Sequence, residues 1–283
     1  MKLYLNGKLY ADEDAKVPIL SFGLRGGVTL RSLFHCRAGL FFHLAERLHR
    51  LREIADELAV PFPYDEKDIR EALAVTYDMG GGEGRDVVLE LLLIAGAKTA
   101  GGAISDSVAV IPENRPSGPA KAAEAVPLAS LASFPMAGSA LLLERSLSAR
   151  MGTCLARARA MQQGAREAIL LDQDGFIGAC TGGELFIVRE NGIWMPELAR
   201  LPASTAFSLE LLGDMEVKVG VQKLKLRDLK AAKECFLLNE LEEIVPVASI
   251  DGSPIGGGKA GTQTTTLALD FAARLRLASR PAF

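Results

Sequence analysis

Residues 144–188 decide the fold, and they read ERSLSARMGTCLARARAMQQGAREAILLDQDGFIGACTGGELFIV. Small and apolar residues recur at helical spacing over 151–161, and Gly164 is a typical helix stop. A short apolar run at 168–171 leads into the turn sequence DQDG, and a second apolar run follows at 185–188. The stretch therefore predicts a helix followed by two strands, with a Gly/Thr-rich turn before the second strand.

The composition limits the class of protein. The chain has 283 residues, 49% of them hydrophobic and 24% charged, which is typical of a globular protein with room for two domains. A net charge of -3 gives no electrostatic case for binding nucleic acid or an anionic membrane. No apolar run approaches the about 20 residues of a spanning helix, and the N-terminus alternates like a strand rather than a signal peptide.

The spacing of the cysteines predicts the compartment, and the positions of prolines and glycines predict the domain boundaries. Four cysteines lie far apart without metal or redox spacing, which predicts no metal site and a cytoplasmic protein with reduced thiols. A proline- and glycine-containing segment predicts a small α/β domain over 1–112, an interdomain loop over 113–122 and a large domain over 123–283.

The remaining elements follow from periodicity and turn residues. Asn6-Gly7 predicts a hairpin, and the cluster Gly23, Gly26 and Gly27 predicts a loop that a backbone or ligand approaches. Helices are predicted at 43–58, 65–77, 203–212, 226–232 and 262–277, and strands include 30–35, 87–95, 107–111, 216–219, 235–238 and 244–250. In the first of these helices, three arginines (Arg47, Arg50 and Arg52) are expected off the apolar stripe or at its edge.

Two predicted helix starts have the chemistry of an anion site. The first backbone N–H groups of a helix have no hydrogen-bond acceptor within the helix. Hydroxyl side chains lie beside such N–H groups at Ser204-Thr205 and in the segment 261–264, which contains Thr264. Ordinary N-capping is the alternative for each. Together with Arg50 they form a phosphate cup only where the fold brings them together.

The order of many short matches resembles the class IV aminotransferases, the fold-type IV pyridoxal-phosphate enzymes that include branched-chain and D-amino acid aminotransferases and aminodeoxychorismate lyase. The resemblance covers nearly the whole chain. It implies a mixed α+β and α/β fold of two domains with a cleft between them, a homodimer and a pyridoxal-phosphate site. The matching residues are Leu5-Asn6-Gly7, Gly39, Phe42, Leu44, Arg50-Leu51, Gly164, Glu167, Asp172, Gly175, Leu185-Phe186, Leu201-Pro202, Phe236, Pro246-Val247, Ile250-Asp251-Gly252 and Gly258–Gly261.

The catalytic positions depart from that family. The lysine that forms the imine in relatives aligns with Ser146, or with Arg145 if one gap is allowed, and the chain has no lysine between Lys121 and Lys218. The carboxylate that pairs with the pyridine nitrogen in relatives aligns with Ala179. Serine has no amine and a guanidinium stays protonated, so the comparison predicts no catalytic residue here and no covalently bound cofactor.

The anion-binding side of the resemblance is mixed. Arg50, Thr205 and Thr264 match the phosphate framework, whereas Glu240 adds a negative charge where relatives have small neutral residues. Arginines at or near cleft-facing positions, with one histidine, are candidates for holding a carboxylate or phosphate. For each the alternative is a solvent-facing charge, or for the histidine a core residue. These candidates are Arg25, Arg31, His35, Arg145 and Arg150.

Three hypotheses remain open from the sequence. The first is a class IV fold without covalent cofactor chemistry, either a pseudoenzyme or a cleft that binds another small anion. The second is a working pyridoxal-phosphate transaminase or lyase with a displaced lysine or a noncovalently held cofactor. The third is a structural or partner-binding dimer.

Overall fold

A computed structural model describes residues 2–62, 64–79, 86–99, 102–116, 124–132, 151–198, 203–239 and 242–281. The chain forms two compact units: one contains the residues up to 117 and those from 276 onward, and the other contains most of the chain between them. The division at 117–118 falls inside the 113–122 segment that the sequence predicts as a linker. The last residues, which the sequence analysis places in the large domain, belong instead to the first unit, because their short strand pairs with residues 40–41.

The elements are as follows. The helices are α1 (Phe22–Arg25), α2 (Leu44–Glu57), α3 (Glu66–Met79), α4 (Met151–Gln162), α5 (Ala203–Asp214), α6 (Leu226–Lys230) and α7 (Thr262–Ala278). The strands are β1 (Lys2–Leu5), β2 (Lys8–Ala11), β3 (Thr29–Arg37), β4 (Leu40–Phe41), β5 (Asp86–Ile94), β6 (Ala97–Thr99), β7 (Gly102–Ile104), β8 (Ser107–Pro116), β9 (Val126–Leu131), β10 (Glu167–Leu171), β11 (Ile177–Cys180), β12 (Glu184–Arg189), β13 (Gly192–Pro196), β14 (Val219–Gln222), β15 (Glu234–Asn239), β16 (Glu243–Ile250), β17 (Ser253–Pro254) and β18 (Arg280–Pro281). The mixed α/β class predicted from the sequence is confirmed.

The first unit is a sheet with helices packed on one face. Its strands run in the order β18-β4-β3-β5-β8-β1-β2. Because side chains alternate across a strand, Leu30 and Phe34 of β3 point to the face that packs against α2 and α3. Arg31 and His35 occupy the opposite face. This alternation places Arg31 and His35 on the face away from the helices.

One of the three arginines of α2, Arg47, is buried. Arg47 is 6% exposed, and its guanidinium donates to the carbonyl of Leu33 at 3.1 Å. The guanidinium also lies 6.0 Å from the centre of the Phe42 ring. A position at the edge of an apolar stripe can be covered by a neighbouring strand, which periodicity does not reveal.

The second unit is built on a larger sheet, whose strands run in the order β11-β10-β9-β16-β15-β12-β13-β14. Strand β9 is parallel to both neighbours, β10 and β16, and the other pairings along this order are antiparallel except β13 with β14. Every residue of β10 is buried. On one face, Ala156 and Ala160 of α4 pack against β9 and β10, and small side chains let the helix approach the sheet closely.

Two sequence expectations differ from the structure. Residues 22–25 form a helical turn, α1, rather than only a loop. Gly23 within it nevertheless has the predicted close approach, because a Cβ there would lie 2.4 Å from the Cγ2 atom of Ile94. The strand expected at 216–219 begins only at Val219, since Glu216 adopts a left-handed conformation with φ of 59° that ends the preceding helix.

Candidate functional site

The position matched to the pyridine-pairing carboxylate has apolar surroundings. Ala179 lies on β11 opposite Leu170 of β10. Its partly buried methyl group packs against the cluster that contains Ala156 and Ala160 of α4. A methyl group carries no charge and accepts no hydrogen bond, so this position offers no counter-ion to a protonated ring nitrogen.

A polar network lies two residues further along the chain. The hydroxyl of Thr181 donates to the Oε2 atom of Glu167 at 2.7 Å, and the backbone N–H of Ala168 donates to the same hydroxyl oxygen at 2.8 Å. The other oxygen of Glu167 lies 3.2 Å from the guanidinium of Arg157. Glu167 is only 6% exposed, and these contacts satisfy both of its oxygens, as a buried carboxylate requires.

Sequence reasoning identified Glu167 only as a framework match and did not identify its partners. The Gly/Thr-rich turn indicated that small polar residues gather there. Gly182 shows why they are small, because a Cβ at this position would lie 2.4 Å from the Cγ atom of Glu167. The pairing with Thr181 spans 14 residues and depends on the β10–β11 register, which no local pattern encodes.

The start of α7 does not have the free N–H groups that the sequence analysis expects. The backbone N–H groups of Gln263 and Thr264 donate to the two carboxylate oxygens of Glu234, at 3.1 and 2.8 Å. A carboxylate of the chain itself thus occupies this helix start. Thr264 is 1% exposed, and its hydroxyl has no hydrogen-bond partner among the described residues.

Arg50 also has a carboxylate beside it. Its guanidinium donates to Glu53 at 2.8 Å, one turn further along α2. That hydrogen bond and the positive charge lower the pKa of the Glu53 carboxyl below its usual value. The guanidinium is therefore matched by a negative charge on its own helix.

The cleft candidates on the sheet of the first unit behave similarly. Arg31 donates through Nε to Glu90 at 2.6 Å, and one of its terminal nitrogens contacts the same oxygen. Both side chains are mostly shielded from solvent, with 17% and 14% of their side-chain surface exposed. His35 lies on the same face of β3, four residues further along the strand, and is 4% exposed. Arg25, at the end of α1, is exposed.

Several predicted residues lie outside the part of the chain that the structure describes. The helix predicted at Ala203 is present as α5, but the side chains of Ser204 and Thr205 are not described. The others are Arg145, Ser146, Arg150 and Glu240.

Lysines are the amines that could form an imine, and their positions are known for most of the chain. No lysine occurs between Lys121 and Lys218. Among the described lysines, only Lys225 is partly buried and the others are exposed. The ammonium of Lys225 donates to the carbonyl of Asp174 at 2.9 Å and lies 4.3 Å from the centre of the Phe176 ring. The ammonium of Lys225 is thus in contact with groups of the chain itself.

Two other classes of function would need a metal site or a membrane-spanning helix. No group of three or more His, Cys, Asp or Glu side chains among the described residues could hold a metal ion. The four cysteines are free thiols. Within the same residues, no helix is long and apolar enough to cross a membrane.

Comparison with known proteins gives one family. The family model described as amino-transferase class IV matches residues 30–250. A proposed branched-chain-amino-acid aminotransferase of Methanocaldococcus jannaschii is 27% identical over 96% of this chain and 95% of its own length. The D-alanine aminotransferase of Listeria monocytogenes serotype 1/2a (strain 10403S) is 26% identical over 94% of this chain and 93% of its own length.

Solved structures show the same fold. The branched-chain aminotransferase of the thermophilic archaeon Thermoproteus uzoniensis, crystallised with norvaline, superimposes with a TM-score of 0.82. The superposition covers 100% of this chain and 99% of that one, at 22% identity.

Proposed function

This chain belongs to the class IV aminotransferase family, and on that premise we propose that it binds a small ligand noncovalently and does not catalyse transamination. The observation that carries the proposal is Ala179, set among apolar side chains where the family's chemistry needs a carboxylate. Without that charge a pyridinium ring is a poorer electron sink, and the lysine-free stretch removes the amine that would hold an aldehyde cofactor.

The residues present do not fit pyridoxal phosphate as relatives use it. An imine needs a neutral amine, and Ser146 supplies a hydroxyl. Arg145 does not replace it, since a guanidinium stays charged. The described lysines of the second unit are exposed, except Lys225, whose ammonium already contacts Asp174 and Phe176. We therefore assign no reaction step to this cofactor.

The phosphate side supports the same proposal. In the described residues, the cations and the helix start expected to hold an anion already face carboxylates of the chain: Arg50 with Glu53, and the start of α7 with Glu234. A dianionic phosphate in the family's pose would have to displace or approach these negative charges. A smaller or less charged ligand meets less repulsion.

A working pyridoxal-phosphate transaminase or lyase with a displaced lysine is the second candidate. The relatives favour it, because those named above are aminotransferases that align over nearly the whole chain. It requires a lysine that reaches the ring from outside the family position.

We also propose that the protein is a cytoplasmic homodimer. Four large apolar residues of the first unit are exposed within six positions of one another: Ile19, Leu20, Phe22 and Leu24. Such a run on the surface of a monomer is unfavourable and is typical of an interface. The reduced state of the cysteines is consistent with the cytoplasm. A protein that acts only through such an interface is the third candidate.

A cofactor titration distinguishes these candidates. Purified protein is mixed with pyridoxal phosphate, its absorbance is recorded for an imine band, and it is reduced with borohydride before peptide mass spectrometry. We expect no imine band and no modified lysine. A matched variant, Ser146→Lys with Ala179→Glu, restores the two missing groups and is expected to gain the band. A stable reduced adduct on any lysine of the unaltered protein would overturn the proposal in favour of the second candidate.

Ligand screening separates the first candidate from the third. A ligand that binds only the folded state raises the melting temperature with its concentration. We expect small organic acids or amino acids to do so, whereas a purely partner-binding dimer would show no shift with any of them.

A further inference from the structure

Helix α4 has apolar side chains on two opposite faces. Ala156 and Ala160 of the inner face are fully buried and pack against β9 and β10. The outer face lies in solvent, and an exposed apolar stripe of this kind is typical of a contact surface. We call its residues the α4 stripe: Met151 (80% exposed), Leu155 (47%), Met161 (64%), Cys154 and Ala158.

The α4 stripe has the spacing of a two-helix contact, and that spacing is the same in both directions. Intervals of three, four and three residues, as between core positions of a coiled coil, separate Met151, Cys154, Ala158 and Met161. Two antiparallel copies of α4 would therefore pair Met151 of each with Met161 of the other. The same arrangement pairs Cys154 with Ala158. Small side chains in the middle let the two helix backbones approach closely, so the stripe is complementary to itself.

The charges of α4 suit a second copy better than an acidic partner. The helix contains two arginines and no acidic residue. The guanidinium of Arg157, beside the stripe, lies 3.2 Å from the Oε1 atom of Glu167, so its charge is already matched within the subunit. An acidic partner would have to compete with Glu167 for this arginine, whereas a second copy brings a matched pair of its own.

We propose that the α4 stripe is a contact surface between two copies of this chain, with the two α4 helices antiparallel. Burying the methionines and Leu155 removes apolar surface from water, which favours the contact. A pair of 12-residue helices covers less than the roughly 800 Å² per partner of a standard interface, so the stripe forms one part of the contact. The inference uses only residues of the second unit. It rests neither on the proposed ligand nor on the exposed run at 19–24, because a dimer that forms only through that run would leave the stripe exposed.

Disulfide trapping tests the antiparallel pairing. Cys154→Ser first removes the exposed thiol, and the other three cysteines are buried. Met151→Cys and Met161→Cys are then introduced separately and together. The two positions are ten residues apart, about 15 Å along the helix, whereas a disulfide joins Cα atoms about 4.4–6.8 Å apart. The two new cysteines therefore cannot link within one chain.

With oxidised glutathione as the oxidant, we expect the double variant to run as a disulfide-linked dimer on a non-reducing gel, and dithiothreitol to reverse the link. Each single variant places its cysteine opposite a methionine and is expected to remain largely unlinked. The inference is overturned if the single variants link as efficiently as the double variant, or if the double variant does not link.

A charge in the middle of the stripe tests its contribution to affinity. Ala158 is exposed in the subunit, so Ala158→Glu should leave the fold intact, but it would bury an unpaired carboxylate between two copies. We expect the dimer dissociation constant, measured by sedimentation, to rise at least about tenfold. Gln163→Glu adds the same charge just beyond the helix and off the stripe, and is expected to change the constant by less than about twofold. Equal effects of the two variants, or a protein that sediments as a monomer at every concentration, would overturn the inference.

The thiol of Cys154 gives a third measurement in the unaltered chain. It is exposed in a single subunit and would be covered in the pair. Its reaction with a thiol reagent should therefore slow as the protein concentration rises, and a rate that does not depend on concentration would contradict the pairing.

Discussion

Gly182→Ala is predicted to destabilise the second unit by about 2–4 kcal/mol. The new Cβ would lie 2.4 Å from the Cγ atom of Glu167 and 2.8 Å from its carboxyl carbon, so the glutamate must move. Inserting a methyl group into a packed site costs about 1–3 kcal/mol. Displacing Glu167 also breaks its charge-assisted bond with Thr181, which is worth about 1.5–3 kcal/mol. The two costs overlap, because a glutamate that moves relieves part of the clash.

Urea unfolding followed by circular dichroism measures this effect, as a lower midpoint at unchanged slope. For a chain of this size the loss corresponds to a fall in melting temperature of about 3–7 °C. Gly213→Ala is the matched control. Gly213 lies in α5, and a Cβ there meets no atom within 4 Å. This control is expected to leave stability unchanged or to raise it by up to about 1 kcal/mol through helix propensity.

A double-mutant cycle tests the cause. If Gly182→Ala acts through Glu167, then in a Glu167→Ala background its cost should fall by more than half, a coupling of about 1–2 kcal/mol. Additive costs would refute the reasoning, because the methyl group would then be disturbing something other than the glutamate. A Gly182→Ala protein within about 0.5 kcal/mol of the original would refute it outright.

Three further predictions concern other parts of the molecule. A Cβ on Gly220 would lie 2.3 Å from the ring of Trp194, the only tryptophan. Gly220→Ala should therefore displace the indole from β14 and shift its fluorescence emission to longer wavelength, and an unchanged emission spectrum contradicts this. Cys154 is exposed and the other three cysteines are buried, so a thiol reagent should modify one cysteine rapidly in the folded protein and all four after denaturation. Because Arg50 lowers the folded-state pKa of Glu53, their pairing stabilises the protein above the unfolded carboxyl pKa of about 4.3. This stabilisation is lost as pH falls through the lower folded pKa. Glu53→Gln should therefore reduce the melting temperature more at pH 7 than at pH 3, and equal effects at both would disprove the assignment.

Local patterns were enough to predict most elements. Asn6-Gly7 gave the first hairpin because both residues adopt positive φ, 48° and 91°, without the strain that other residues would suffer. The apolar period of 44–57 gave α2, and the run 168–171 gave the core of β10. Local patterns did not predict α1, because a single helical turn is too short to show the helical period of apolar residues.

The sequence by itself determined most of the elements, the family and the absence of a lysine between Lys121 and Lys218, because these depend on residue type and on spacings within one element. Only the tertiary structure decided which charges meet. Glu234 reaches the start of α7 across about 30 residues, and Arg31 reaches Glu90 across 59. Such pairs are fixed by strand order and register rather than by neighbours in the chain. An arginine or a helix start that the sequence predicts to bind an anion can therefore already be paired with a carboxylate of the chain itself.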